Sequence, residues 1–209
     1  MENPKRLQIN RTDFYLVSFI GASFALFSAP IIINLNLTLI TINPLTIAGL
    51  VVFFVIFANI ALGLAWLVGT RLPIIFQFAK FGAVGAFNTF LDWGTLNLLM
   101  AITSIVDGIG FSLFKGCSFI IATIGAYFWN KYWTFNAKEK SNKDEITKFV
   151  LISISGFIIN VGLASLLIFL FKDTTIVTPP QLANIAAASA TVASLIWNFL
   201  GYKLFVFKK

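Results

Sequence analysis

The chain has no histidine, one cysteine and few charged residues. Without histidine it lacks the side chain that titrates nearest neutral pH, which is also the commonest metal ligand. The single Cys117 cannot form a disulfide within the chain. Only 11% of the residues are charged, whereas soluble domains average about a quarter. We therefore expect no metal site, no cofactor, no soluble catalytic domain and no enzymatic activity.

Apolar residues make up 58% of the 209 residues, including 24 phenylalanines, and the mean hydropathy is +0.91. This composition predicts an integral protein of the cell membrane. A helix needs about 20 mainly apolar residues to cross the bilayer core. Six runs meet this length and predict an all-α, multi-pass protein with six transmembrane helices. They are Phe14–Leu35, Leu45–Val68, Phe78–Ile102, Phe111–Trp129, Phe149–Phe171 and Leu182–Leu200.

The basic residues indicate the orientation in the membrane. The net charge is +7, but these residues flank apolar runs and form no continuous basic segment, so we expect no nucleic-acid partner. With the N-terminus in the cytoplasm, only Lys115 and Lys172 fall outside, which leaves 13 of the 15 lysines and arginines inside. Basic residues concentrate on the cytoplasmic side of membrane proteins. Both termini are therefore predicted to be cytoplasmic.

The second part of the chain contains an internal repeat. Lys80-Phe81 recurs 68 positions later as Lys148-Phe149, and the ending 131–135 recurs 72 positions later as 203–207. Such self-similarity indicates a duplicated structural unit. Each copy holds two spans, so the copies enter the membrane in the same orientation, as parallel two-helix repeats. The sequence thus divides into an N-terminal hairpin, residues 1–70, and a four-helix domain, residues 71–209.

Asp92 is the only acidic residue well inside a predicted span, where a charge is costly unless it is paired or hydrated. Gly85, Asn88 and Asp92 share one helix face, and Gly85 allows a neighbouring helix to approach. Asn160 occupies the position of Asp92 in the second copy. Two interpretations stay open, a substrate-binding site and a structural clamp between helices. Lys115 either reaches the outer interface, binds an anionic group or pairs with Asp92.

The two Lys-aromatic endings follow apolar runs at the predicted cytoplasmic side. One interpretation is an aromatic belt with lysine anchors. The other is a phosphate site, in which Lys131 and Lys203 attract phosphate oxygens and Trp133 stacks on a sugar or prenyl unit. Asn130 adds an amide beside Lys131. We predict that these lysines, together with Asn88 and Asp92, line one polar path.

At these positions the chain resembles the GtrA-like family of small membrane proteins, over residues 74–209. The residues that carry the resemblance are Lys80-Phe81, Val84-Gly85, Asn88-Thr89, Asp92, Asn130–Phe135, Lys148-Phe149, Asn198-Phe199-Leu200, Lys203 and Phe205-Val206-Phe207. The chain departs from the family pattern at Gly125 and Tyr202, where asparagine is usual, and in the added hairpin of residues 1–70.

The resemblance implies a translocase, or flippase, for polyprenyl-phosphate-linked sugars in cell-surface polysaccharide or glycan biosynthesis. The alternative is a membrane scaffold that anchors or positions a separate polyprenyl-phosphate glycosyltransferase. Expected partners are the sugar-linked lipid and membrane lipid, while a glycosyltransferase and a second copy of the chain stay open. The candidate substrate-binding residues are Asn88, Asp92, Lys115, Asn130, Lys131, Trp133, Asn160, Asn198 and Lys203.

Overall fold

The computed structural model describes residues 8–34, 41–172, 176 and 179–208. In these ranges the chain forms six α-helices and no β-strand, so the all-helical prediction is confirmed. The helices are α1 (Arg11–Asn34), α2 (Pro44–Gly69), α3 (Pro73–Thr103), α4 (Gly108–Trp129), α5 (Lys143–Phe171) and α6 (Pro179–Gly201). A π-helical turn of five residues follows α4 and another follows α6, at Asn130–Thr134 and Tyr202–Val206.

Five of the described helices, α1 to α5, are long and apolar enough to cross a membrane. They begin earlier than the apolar runs from which they were predicted. Helix α3 starts at Pro73 rather than Phe78, and α5 starts at Lys143 rather than Phe149. In α5 the added first turn is charged, with Lys143, Asp144 and Glu145, and hydropathy alone does not detect it. Leu35, the predicted end of the first span, lies outside the described residues.

Capping residues set several helix ends. The Asn43 side chain accepts a hydrogen bond from the Thr46 backbone N–H at 2.9 Å, and Asn142 accepts one from Glu145 at 2.8 Å. Both asparagines satisfy backbone donors that a helix leaves unpaired at its N-terminus. Helix α3 ends at Ser104, whose φ of 59° is left-handed and stops helical propagation.

Contacts group the chain into two compact units, Met1–Asn136 and Ala137–Lys209. In the first unit α1 packs on both α2 and α3, and α3 packs on α4. In the second unit α5 packs on α6 and on the π-helical turn that follows it. The division predicted at residue 70 rests on the repeat and stays a prediction.

The core of the first unit lies where α1, α2 and α3 meet the end of α4. Its buried members are Val17, Ile20, Leu62, Phe76, Val84, Phe87 and Trp133. Many other apolar side chains of these helices, including much of α2, are exposed on the protein surface. Helices that are apolar on nearly every face are typical of membrane spans, because lipid covers the surface that water would otherwise meet.

Gly21 of α1 lies directly against the backbone of α2. A Cβ at this position would approach the Phe54 carbonyl oxygen to 2.6 Å and the Val55 Cα to 3.0 Å. Backbone atoms of a packed helix cannot rotate away as a side chain can. We therefore expect Gly21→Ala to lower the free energy of unfolding by about 1–3 kcal/mol, measured by thermal unfolding in detergent.

The matched control is Gly49→Ala on α2. No atom lies within 4 Å of a Cβ built there, and alanine is the better helix former by about 0.5–1 kcal/mol. This variant is expected to unfold at or above the wild-type temperature. Equal unfolding temperatures for the Gly21 and Gly49 variants would contradict the close contact between α1 and α2.

Candidate functional site

Asp92 of α3 is paired with side chains of α4. The Lys115 ammonium lies 2.5 Å from Asp92 Oδ2, and the Ser118 hydroxyl donates to Oδ1 at 2.6 Å. Ser118 is fully buried. Of the three alternatives for Lys115, the structure therefore shows the ion pair. Pairing and hydrogen bonding explain how a carboxylate is tolerated within an apolar span. A carboxylate has about four acceptor positions, so Asp92 can accept further hydrogen bonds.

Asn88 lies one turn before Asp92 on α3 and faces Gly125 of α4. A Cβ at Gly125 would lie 3.3 Å from the Asn88 amide oxygen. Gly125, where the family usually has asparagine, has no side chain and therefore leaves space for the Asn88 amide. The predicted close approach at Gly85 was wrong, because Gly85 is exposed and nothing lies within 4 Å of a Cβ built there. The neighbouring helix approaches through Gly125 instead.

An asparagine also packs against a glycine between the two helices of the second unit. A Cβ built on Gly156 of α5 would overlap the Asn198 amide of α6. The amide oxygens of both Asn88 and Asn198 are buried and have no hydrogen-bond partner among the described residues. Buried polar atoms without a partner are rare, and each requires an explanation such as a bound water or ligand.

Asn160 holds the two helices of its unit together. Its amide nitrogen donates to the Ser194 hydroxyl at 3.2 Å and lies 3.4 Å from the Thr191 hydroxyl. Both partners are on α6. These contacts lie within the second unit, and the substrate-binding role of Asn160 stays a prediction.

Both Lys-aromatic endings form π-helical turns with the same closing hydrogen bond. The Phe135 N–H donates to the Asn130 carbonyl at 2.9 Å, and the Phe207 N–H donates to the Tyr202 carbonyl at 2.8 Å. The two bonds are related by the 72-residue offset of the repeat. Short π-helical segments are rare and occur frequently at functional sites, so the repeated turn is a candidate feature for binding.

Ring contacts repeat with the same offsets. Phe81 and Phe135 have centroids 6.4 Å apart in the first unit, and so have Phe149 and Phe207 in the second. In each case a phenylalanine of α3 or α5, directly after the repeated lysine, contacts the phenylalanine directly after the π-helical turn. The repeat seen in the sequence thus recurs in local geometry within each unit.

The two repeated lysines lie beside aromatic rings. The Lys131 ammonium is 5.8 Å from the Tyr127 ring centroid, and that of Lys203 is 5.6 Å from the Phe199 centroid. Ammonium groups at this distance are attracted by the ring faces. Lys131 is fully buried, while Lys203 is half-buried. A phosphate therefore reaches Lys131 only after its side chain is uncovered, and the predicted phosphate contacts of both lysines stay predictions.

Asn130 and its counterpart Tyr202 have different roles. The Asn130 amide nitrogen donates to the Ala126 carbonyl at 2.9 Å, and its amide oxygen is buried without a partner among the described residues. Tyr202 instead stacks on Phe149 with centroids 4.6 Å apart, and its hydroxyl shares a 2.6 Å hydrogen bond with Ser153. Tyr202, one of the departures from the family pattern, therefore connects the π-helical turn after α6 to α5.

Trp133 belongs to a polar cluster that the sequence did not reveal. Its indole N–H donates to Asp13 Oδ1 at 2.9 Å, and the Lys80 ammonium lies 2.5 Å from the same oxygen. The other carboxylate oxygen accepts the Asn10 backbone N–H at 3.0 Å. An acidic side chain in the first turn usually stabilises the N-terminus of its own helix. The position of Asp13 in the sequence therefore did not indicate its contacts to α3 and to the π-helical turn.

No group of three or more metal-ligating side chains occurs in the part of the chain that the structure describes. The clusters around Asp92 and Asp13 each contain one carboxylate and one lysine.

Comparison with known proteins identifies the family. The family model "GtrA/DPMS, transmembrane domain" matches residues 80–207, more than half of the chain. The chain belongs to this family. The uncharacterized membrane protein YngA of Bacillus subtilis (strain 168) is 29% identical over 128 residues, which cover 61% of this chain and 77% of YngA. No solved structure matches the chain.

Membership of the GtrA/DPMS family, together with five apolar helices of sufficient length, makes this a multi-pass membrane protein. The family indicates a membrane function related to polyprenyl-phosphate sugars, and its GtrA members are generally non-catalytic. The match begins at Lys80, so α1 and α2 of this GtrA/DPMS protein lie outside the matched segment.

Proposed function

We propose that the protein is a translocase that moves polyprenyl-phosphate-linked sugars across the membrane during cell-surface polysaccharide or glycan synthesis, without chemical change to the sugar. The observation that carries this proposal is the polar row between α3 and α4, formed by Asn88, Asp92, Lys115 and Ser118. These side chains lie in helices that are otherwise suited to lipid.

A sugar matches the hydrogen-bonding groups of this row. The Asn88 amide oxygen is a buried acceptor that receives no hydrogen bond from any residue the structure describes, and Asp92 retains acceptor positions beyond those used by Lys115 and Ser118. Sugar hydroxyls supply donors to both. The row therefore offers charged and neutral hydrogen-bonding groups to the sugar. The prenyl chain remains in lipid while the sugar follows the polar side chains.

We also propose that α6 is a sixth crossing, that α3–α4 and α5–α6 are parallel repeats, and that both termini are cytoplasmic. The repeat is supported by the matched π-helical turns and phenylalanine contacts. The orientation is supported by the 13 of 15 basic residues that it places inside.

Cysteine labelling tests this topology. In a Cys117→Ser background, Thr41→Cys in the α1–α2 connection is expected to react with a membrane-impermeant thiol reagent added to intact cells. Ser141→Cys, in the connection before α5, is expected to react only after the cells are permeabilised. Both positions are exposed, so burial does not explain a difference. The reverse labelling pattern would contradict the proposed orientation.

Reconstitution of the purified chain alone distinguishes the translocase hypothesis from the scaffold hypothesis. Transbilayer movement of a polyprenyl-phosphate-linked hexose in liposomes without any glycosyltransferase supports the translocase. The scaffold is supported instead if the lipid does not move and a glycosyltransferase is retained when the chain is purified from native membranes. That combination would overturn the translocase hypothesis.

A further inference from the structure

The acceptor and the donors of the Asp13 cluster come from different parts of the chain. Lys80 and Trp133 lie inside the segment that matches the family, while Asp13 lies in the added hairpin. We propose that Lys80 and Trp133 form a binding site for the phosphate of a membrane lipid, and that Asp13 occupies this site as an internal competitor. The ligand class is taken from the proposed function, whereas the site and its competitor are separate from the polar row at Asp92.

The geometry of the cluster is that of an anion site. One oxygen of Asp13 receives both the Lys80 ammonium at 2.5 Å and the Trp133 indole N–H at 2.9 Å. A phosphate oxygen accepts the same two donors, and charge-assisted bonds of this kind are the strong ones. Lys80 is also 4.6 Å from the Phe76 ring centroid and its side chain is 12% exposed. A buried ammonium needs an anion, so displacement of Asp13 requires a replacement.

An apolar cavity beside the cluster favours a lipid over free phosphate. The cavity has a volume of about 330 Å³ and lies between the hairpin and α3. Val17, one turn after Asp13, and Ala79, adjacent to Lys80, both contribute to its wall. Deeper wall residues include Ile20, Phe24, Phe54 and Ala83.

The volume of this cavity suits a segment of hydrocarbon chain. An apolar cavity of roughly 150 Å³ holds a benzene molecule, so this one has room for about a dozen carbon atoms. A phosphate at Lys80 therefore has an apolar space beside it for the first part of its chain. The hairpin supplies the competing carboxylate and, through α1 and α2, most of the cavity wall, which α3 completes. This arrangement makes binding of the lipid phosphate weak while Asp13 is charged and in place.

Neutralisation of Asp13 in the full-length chain tests the proposal. Asparagine retains an oxygen for the Trp133 N–H but leaves Lys80 without its anion. With farnesyl phosphate as the probe, we expect Asp13→Asn to bind at least tenfold more tightly than wild type, measured by titration in detergent. Adding Lys80→Gln is expected to abolish the gain, and adding Ala83→Leu, which fills the cavity, to reduce it.

Two controls separate this site from other effects. Inorganic phosphate is expected to show no comparable gain, because it has no chain for the cavity. Asp144→Asn removes the partner of Lys148, the counterpart of Lys80, from an exposed ion pair, and is expected to leave farnesyl phosphate binding unchanged. Asp13→Ser, which is neutral and smaller, provides the same comparison if Asp13→Asn does not fold.

Equal farnesyl phosphate affinity in wild type and the neutral variants would overturn the proposal, as would a gain that survives Lys80→Gln. An equal gain for inorganic phosphate would overturn the assignment to a lipid. The assay measures binding alone. Loss of sugar transport with this binding pattern intact would therefore contradict the translocase without affecting the site, and the opposite result would contradict only the site.

Discussion

Replacement of Trp133 by alanine is expected to lower the free energy of unfolding by about 3–5 kcal/mol. The indole is 7% exposed and belongs to the core of the first unit, where it packs edge-on against Trp129. Alanine leaves a cavity at this position and removes the hydrogen bond to Asp13. Thermal unfolding in a fixed detergent measures the loss.

The repeat provides a matched control for this variant. Phe205 stands 72 positions after Trp133 and is 63% exposed. Substitutions at exposed positions usually change stability by less than about 0.5 kcal/mol, so Phe205→Ala is expected to unfold near the wild-type temperature. Trp133→Phe, which keeps a ring but loses the N–H, is expected to fall between the two. Equal losses for Trp133→Ala and Phe205→Ala would contradict the burial of Trp133.

Replacement of Asp92 by alanine is expected to reduce sugar-lipid transport per folded molecule by roughly 10- to 100-fold. A charge-assisted hydrogen bond contributes about 1.5–3 kcal/mol, and each 1.4 kcal/mol corresponds to about tenfold. The variant also loses stability, because Lys115 and Ser118 lose their acceptor. Transport is therefore normalised to the folded fraction, which is measured by size-exclusion chromatography.

Asn88→Ala separates binding from structure more cleanly. The Asn88 amide oxygen has no hydrogen-bond partner among the described residues, so its removal breaks no internal bond. Transport is expected to fall about fivefold, as for one neutral hydrogen bond of roughly 1 kcal/mol, with little change in unfolding temperature. Asp144→Ala, in an exposed ion pair of α5, is the control with unchanged transport. A fall in stability with normal transport at Asn88 would favour a purely structural role.

Hydropathy was sufficient to locate the helices because a crossing helix must be apolar over its length whatever it packs against. It did not locate the charged first turn of α5, at Lys143, Asp144 and Glu145, since these residues precede the apolar run. The pairing of Lys115 with Asp92 was one of three sequence alternatives, because each side chain needs a partner or water. The structure selects among those alternatives through the packing of α4 on α3.

The contacts of Asp13 were not predictable from the sequence. Its partners Lys80 and Trp133 lie 67 and 120 positions away, and only the packing of α1 against α3 brings them together. The aromatic-belt interpretation does not describe Trp133 and Lys131, which are buried, although Tyr132 beside them is exposed. The π-helical turn changes which side chains face inward, and residue type alone does not reveal that change.

The most direct test of translocation is the accessibility of a sugar-linked lipid in liposomes that contain the purified chain alone. A polyprenyl-phosphate-linked hexose is placed in both leaflets, and periodate added outside oxidises the sugars that it reaches. With the wild-type chain, the oxidised fraction is predicted to rise from the outer-leaflet share to nearly the whole pool. At equal folded protein, and over the time in which the wild-type chain completes this rise, the Asp92→Ala variant is predicted to remain near the outer-leaflet share. An oxidised fraction with the wild-type chain equal to that of protein-free liposomes would contradict the proposed translocation.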